Sequence, residues 1–101
     1  MRKPDKEAAE EFGRRLREER LAKNLSKRAL ARLAGLHPTT ISMIEAGRRE
    51  PRYSTMISIF QALESDVDEL FRGIEFIPGA PDEPGTWRIE GRSEGPGASS
   101  D

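Results

Sequence analysis

The sequence predicts an all-α domain of five helices, followed by a Gly/Pro-rich tail with room for a short β-hairpin. Apolar residues recur at helical spacing through the first seventy residues, and helix start and stop residues separate these runs. From Gly73 to the end the chain has 6 Gly and 4 Pro in 29 residues, too many for a helix. We expect the folded domain over 1–72, a hairpin or docking segment over 73–90 and a disordered tail over 91–101.

The first helix is predicted from one apolar stripe. Phe12, Leu16 and Arg20 lie four residues apart in a run rich in Glu, Arg and Leu. These residues are good helix formers, so the helix is expected over 6–23. Asn24 tolerates the left-handed conformation and is expected to end it.

The second helix has a signal at each end. Ser26 is expected to accept a hydrogen bond from an exposed amide at the helix start. Leu30, Leu33 and Ala34 are expected to form its buried face. Gly35 is expected to stop it.

A third helix is predicted to begin at Pro38, which fits a first turn because its missing N–H has no partner there. Ile41, Ile44 and Leu36 are expected to pack inward. Gly47 closes the helix.

Two further helices are predicted after a polar loop at residues 48–52. Asp66 with Glu69 three residues later resembles a capping box and predicts the start of the fifth helix. The residues expected to face the core are Met56, Ile59, Phe60 and Leu63 in the fourth helix and Val67, Leu70 and Phe71 in the fifth.

The tail contains two runs that favour β-structure, at residues 74–77 and 86–89, separated by turn residues at 78–85. An isolated hairpin is marginal in water, so it is expected to lean on the helices or on a second subunit. Trp87 is expected to dock, either on its own bundle or on a dimer mate.

Composition excludes several classes of function. The mean hydropathy is -0.72, no apolar run approaches a membrane span, and the charged first residues lack a secretory signal, so a cytoplasmic protein is expected. The chain has no cysteine and one histidine, His37. No disulfide, thiolate site or histidine metal site is therefore expected, and neither a cofactor nor a catalytic centre.

Charge is polarised along the chain. Residues 12–52 contain 11 Lys and Arg against 4 Asp and Glu, a balance of +7. Residues 73–101 contain 2 Arg against 6 acidic residues, a balance of -4. A basic folded block indicates a polyanion as partner.

The segment from Lys27 to Arg48 favours DNA as that polyanion. Ala31 and Gly35 allow two short helices to cross steeply, since the crossing needs a small residue and the turn needs a positive φ. Short outward side chains suit the major groove, where hydroxyl and small apolar groups meet base edges. The outward residues are Thr39, Thr40, Ser42 and Met43, and the flanking cations are Lys27, Arg28, Arg48 and Arg49.

These residues resemble a known family. Residues 26–36, SKRALARLAGL, and residues 39–51, TTISMIEAGRREP, are similar to the Cro/C1-type helix-turn-helix family, also called the XRE family. The resemblance runs from about Phe12 to Phe71. It implies a five-helix, lambda-repressor-like bundle with helix 3 as recognition helix, and double-stranded DNA bound by a homodimer.

The resemblance also implies roles for single residues. Lys27 stands where the family often has Gln, and Pro38 replaces a position that often offers a long polar side chain to the bases. The implied base contacts are Thr39 and Met43, then Ser42 and His37; the implied phosphate contacts are Lys27, Arg28, Thr40, Arg48 and Arg49.

Glu45 is expected to need a cationic partner, because the C-terminal end of a helix disfavours an anion. Arg20 is the expected partner, as in similar family members, and the pair is interpreted as structural. The whole sequence favours a transcriptional regulator and not an enzyme. The alternative is an antitoxin or bridging module that binds a protein partner through residues 74–90.

Overall fold

The computed structural model describes residues 3–90, which form five helices and one hairpin. No helix in this range is both long and apolar enough to span a membrane. The tail at 91–101, expected to be disordered, lies outside the described residues. The elements are α1 Lys3–Ala22, α2 Lys27–Ala34, α3 Pro38–Glu45, α4 Tyr53–Leu63, α5 Val67–Phe71, β1 Ile74–Ile77 and β2 Thr86–Ile89.

The ends of α1 and α2 follow local sequence signals. Asn24 adopts a left-handed conformation with φ 59° directly after α1. The Ser26 hydroxyl accepts a hydrogen bond of 2.9 Å from the Ala29 amide and caps α2. Gly35 ends α2 at φ 71°, where an L side chain would be strained. These short connections allow α3 to pack against both α1 and α2.

One apolar core joins all five helices. Phe12 stacks on Phe71 at 5.0 Å between ring centroids and meets Phe60 edge-on at 6.2 Å. Leu16 of α1 and Ile41 of α3 are fully buried. The other buried members are Leu30, Ala31, Ala34, Ile44, Ile59, Leu63 and Leu70.

Two predicted core residues lie at the surface. Leu33 is 61% exposed because α2 buries the stripe of Leu30, Ala31 and Ala34 instead. Val67 is 45% exposed at the first position of α5, a helix of only 5 residues that buries Leu70.

The start of α5 also differs from the prediction. The Asp66 carboxylate caps the helix by accepting a 3.0 Å hydrogen bond from the Asp68 amide. Glu69 does not complete a capping box; its carboxylate lies 3.5 Å from the guanidinium of Arg72 on the next turn. A single side-chain cap therefore starts this helix.

The predicted hairpin is present and rests on α1. β1 and β2 pair antiparallel, with Phe76 opposite Trp87. The Asp5 carboxylate of α1 accepts hydrogen bonds from the Thr86 hydroxyl at 2.7 Å and the Trp87 amide at 2.6 Å. The Trp87 ring packs on Phe76 at 5.3 Å, yet Trp87 remains 42% exposed. Both contacts of Trp87 are made within its own chain.

Candidate nucleic-acid interface

The turn between α2 and α3 sets the angle of the surface helix. The Leu36 amide donates a 2.8 Å hydrogen bond to the Ala31 carbonyl, which closes the end of α2 around Gly35. His37 is exposed and extended at the N-cap of α3, and Pro38 follows in the first turn. The chain thus reverses over a few residues and α3 packs across α2.

Helix α3 has an apolar inner face and a neutral outer face. Ile41 and Ile44 are 0% and 1% exposed, and both belong to the core. Thr39 is exposed, whereas Ser42 and Met43 are half-buried. Thr40 is half-buried as well. The outer edge of α3 therefore offers hydroxyl and thioether groups to a partner.

Cations without a partner flank this edge. Within residues 3–90 they form neither an ion pair nor a side-chain hydrogen bond, and all are exposed. An unpaired cation keeps its full charge for an external anion. The residues concerned are Lys27, Arg28, Arg48 and Arg49.

Within residues 3–90, three of the four arginines of α1 pair with carboxylates, whereas Arg17 is exposed and forms no ion pair. Arg14 and Arg15 both donate to the Glu11 carboxylate, at 2.6 Å and 2.8 Å. Arg14 also contacts Glu18. Most of the arginine charge of α1 is therefore compensated within the chain, whereas the cations beside α3 have no carboxylate partner among residues 3–90.

The one carboxylate between residues 27 and 49, Glu45, is removed from this surface. Arg20 donates to both of its oxygens, at 2.6 Å and 3.0 Å, and also to the Leu25 carbonyl at 2.8 Å. The two side chains are 6% and 4% exposed. The hydrogen bond to Glu45 raises the pKa of Arg20 above its ordinary value. The pair ties α1 to the end of α3 and leaves the outer edge without negative charge.

Gly13 positions α3 on α1, a role that the sequence analysis missed. A Cβ at Gly13 would lie closer than 3.0 Å to the carbonyl oxygens of Ile44 and Glu45. The backbones of α1 and the last turn of α3 therefore touch. The available signal was a glycine inside an otherwise strong helix run, which indicates a close approach.

Arg15 of α1 and Lys23, which directly follows α1, cap other helices, and the sequence analysis missed both roles. Arg15 donates to the carbonyls of Leu70 at 3.1 Å and Arg72 at 2.5 Å. The Lys23 ammonium group donates to the Leu63 carbonyl. Cations at these C-terminal ends oppose the negative end of each helix dipole. They hold α4 and α5 against α1.

An apolar groove separates the hairpin from the loop that follows α3. Its volume is about 180 Å³. The residues that line it include Phe12, Phe71, Trp87, Arg49 and Pro51. The groove places the hairpin next to the loop that carries the cations.

Comparisons with known proteins agree with this geometry. A family model described as Helix-turn-helix matches residues 16–70. The restriction-modification controller protein C.AhdI from Aeromonas hydrophila is 38% identical; the match covers 62% of this chain and 96% of that one, with a TM-score of 0.60. The clp gene regulator ClgR from C. glutamicum is 29% identical over 68% of this chain and 88% of its own, with a TM-score of 0.62.

A third similar structure is the P22 c2 repressor in complex with a synthetic operator. It is 27% identical, with 61% of this chain and 94% of that chain covered and a TM-score of 0.57. None of the curated proteins compared matches the chain.

The family match extends from the middle of α1 to the end of α5 and includes the whole α2–α3 unit. It confirms the resemblance that the residues of α2 and α3 indicate. The chain belongs to the XRE-type helix-turn-helix family of DNA-binding transcription regulators.

Proposed function

We propose that the protein is a sequence-specific transcriptional regulator that acts in the cytoplasm and binds a short operator as a homodimer. Each α3 enters a major groove, and the two half-sites lie about 34 Å apart, one turn of the duplex. The neutral outer edge of α3, flanked by cations that have no partner among residues 3–90, carries this proposal. The operator complex of the similar P22 c2 repressor supports it.

Within this proposal the two kinds of side chain have separate tasks. Thr39 and Met43 contact base edges, with Ser42 and His37 beside them, because their short neutral groups lie on or next to the outer edge of α3. The phosphate contacts come from the flanking cations and one hydroxyl, namely Lys27, Arg28, Thr40, Arg48 and Arg49.

The proposal predicts different losses for the two classes of residue. The preferred duplex is first selected from random sequences, and binding is then measured on it and on an unrelated duplex. Thr39→Ala and Met43→Ala are expected to weaken the selected duplex by about 1 kcal/mol or more and leave the unrelated one unchanged. Arg49→Ala is expected to weaken both and to reduce the slope of log affinity against log salt by about 0.9.

Arg14→Ala is the matched control, since Arg14 is exposed but paired with Glu11 and Glu18 on α1. Its salt slope is expected to equal that of the wild type. Equal losses on both duplexes for Thr39→Ala and Arg49→Ala would contradict the assignment of α3 as the reading helix.

A second candidate function is an antitoxin or bridging module that captures a protein through residues 74–90. The exposed aromatic pair of the hairpin favours it, since Phe76 and Trp87 are 49% and 42% exposed. The same selection distinguishes the two functions. Failure to enrich any duplex would favour the interaction module.

A further inference from the structure

The two edges of the hairpin differ in how far other elements cover them. Helix α1 packs along β2, and Asp5 accepts from the Trp87 amide on that edge. Among the described residues, no helix packs to a comparable extent along β1. Folded proteins usually protect an edge strand by covering it, charging it or bending it. No other described element covers the edge of β1 that faces away from β2 to the extent that α1 covers β2.

The hydrogen-bond register shows which groups this edge presents. The Glu90 amide donates to the Gly73 carbonyl, so these two residues form a bonded pair of the antiparallel ladder. Bonded pairs alternate along the ladder, which leaves Phe76 and Trp87 in a non-bonded pair. The outward Trp87 amide, bonded to Asp5, confirms this phase independently.

The same alternation turns the backbone of Ile74 and Phe76 away from β2. Within residues 3–90 their outward N–H and C=O groups have no hydrogen-bond partner. Their neighbour Glu75 forms a 2.9 Å ion pair with Arg88 across the hairpin. As far as residues 3–90 show, the free edge of β1 thus carries unpaired backbone groups and no unpaired charge.

We infer that β1 pairs antiparallel with β1 of a second copy of this chain, so that two hairpins form one four-stranded sheet. A two-fold axis passes through Phe76, and Phe76 exchanges both backbone hydrogen bonds with its counterpart. This inference rests on the proposed dimeric regulator and assigns the surface through which the two copies meet.

Charge repulsion favours the register centred on Phe76 over the register centred on Glu75. With the axis at Phe76, Glu75 of each copy lies opposite Ile77 of the other. With the axis at Glu75, two carboxylates would lie directly opposite each other, which is unfavourable. Pro78 cannot donate to the ladder and limits the pairing to the short strand.

Pairing at this edge also covers the exposed aromatic side chains. Phe76 and Trp87 share one face of the hairpin as a cross-strand pair. Across the axis the two Phe76 rings become neighbours, and a Trp87 flanks each one. The four rings form one apolar row, and aromatic cross-strand pairs of this kind stabilise a sheet.

A single cysteine tests the contact directly, because the chain has none of its own. Opposite residues in a bonded pair have Cα atoms about 5.5 Å apart, a separation that suits a disulfide. Phe76→Cys is therefore expected to form a covalent dimer under mild oxidation of dilute protein. Val67→Cys is the control, since Val67 is 45% exposed on another element.

Rapid cross-linking of Phe76→Cys with little cross-linking of Val67→Cys would support the pairing. Equal or faster cross-linking of Val67→Cys would overturn it. So would a Phe76→Cys protein that sediments as a dimer yet does not cross-link.

A variant that weakens the strand pairing without any cross-link tests this inference separately from the proposed function. Phe76→Pro removes the outward N–H but no hydrogen bond between β1 and β2, and it is expected to raise the dimer dissociation constant about tenfold or more. Phe76→Ala keeps the N–H and is expected to have a smaller effect. Trp87 fluorescence checks that the hairpin persists in both variants.

DNA binding is measured on the same variants. If Phe76→Pro remains a dimer as stable as the wild type and still binds its selected duplex, the edge pairing is wrong and the regulator function stands. If the wild type is a dimer that selects no duplex, the regulator function fails while the cross-linking result still decides the surface.

Discussion

At the residue scale, Arg20 and Glu45 form the interaction on which the position of α3 depends most. Both side chains are almost fully buried, and the guanidinium bonds both carboxylate oxygens. Removing one partner leaves the other charge buried without compensation. We expect Arg20→Met to lower the free energy of unfolding by about 3–5 kcal/mol, measured by urea denaturation followed by circular dichroism.

The double variant Arg20→Met with Glu45→Met is the control for this pair. Replacing both charges with apolar groups removes the buried unpaired carboxylate, so much of the lost stability is expected to return. A double variant no more stable than Arg20→Met would show that the loss comes from packing and not from the charge.

The ion pairs of Glu11 are expected to make part of the unfolding free energy sensitive to acid. The hydrogen bond from Arg14, with further help from Arg15, lowers the pKa of Glu11 from 4.5 to about 2. A depressed pKa stabilises the fold above pH 4.5, and this contribution is lost as the pH falls from there to about 2. We expect Glu11→Gln to reduce the fall in unfolding free energy between about pH 6 and about pH 3.

Glu18→Gln is the matched control, since Glu18 contacts the same arginine but has a side chain that is 64% exposed. Its acid sensitivity is expected to remain close to that of the wild type. A Glu11→Gln variant with an undiminished acid response would contradict the role assigned to Glu11.

Single residues were predictable where the signal is local. Ser26 and Gly35 serve as helix-end residues because capping and positive φ depend on the adjacent backbone alone. Leu33 was not predictable, since four apolar residues among positions 30–34 allow two stripes on so short a helix. Only the packing of neighbouring helices decides which stripe is buried.

At the element scale, the hairpin depends on one carboxylate of α1. Asp5 accepts from both the Thr86 hydroxyl and the Trp87 amide. We expect Asp5→Ala to detach β2 from α1 and to shift the fluorescence of Trp87, the single tryptophan, to longer wavelength. The helical signal in circular dichroism is expected to change little.

Asp5→Asn is the control, because it keeps an acceptor oxygen at the same position. It is expected to retain more of the wild-type spectrum than Asp5→Ala does. Equal spectra for the wild type and Asp5→Ala would show that apolar contacts alone hold the hairpin.

The elements themselves were more predictable than their contacts. Both strands fall at the predicted residues, and α1 differs mainly by beginning at Lys3 instead of residue 6. The bond from Asp5 to Trp87 joins residues 82 positions apart, and no local pattern announces such a contact. For Gly13 the glycine inside a helix run indicates a close approach, but not that α3 is the element that approaches.

At the scale of the whole molecule, the core and the hairpin differ in how they are held. Among the described residues, the main core cluster runs from Phe12 to Leu70, and the strands contribute Ile74 at its margin. We expect urea to shift Trp87 fluorescence at a lower midpoint than the helical circular dichroism, since the hairpin has few buried contacts. Coincident transitions would show instead that the hairpin and the bundle unfold as one unit.

The distribution of free charge also belongs to this scale. The sequence predicts a basic block, but it assigns the arginines of α1 and those near α3 to the same block. The structure separates most of them, because Glu11, Glu18 and Glu45 pair with Arg14, Arg15 and Arg20 of α1. Arg17 of α1 stays exposed, without an ion pair among the described residues. Which cations have carboxylate partners depends on folding, so the sequence alone could not locate the free charge.

The contact between Gly13 and the last turn of α3 has a consequence for genetics. If the outer edge of α3 reads DNA as proposed, a screen for alleles that abolish regulation will collect changes at Gly13 along with changes on that edge, although Gly13 is buried. The two classes are separable by the amount of protein in the cell. Variants changed on the outer edge of α3 will accumulate to normal protein levels. Variants changed at Gly13 will be degraded by proteolysis, and their protein level will recover in strains that lack the responsible protease.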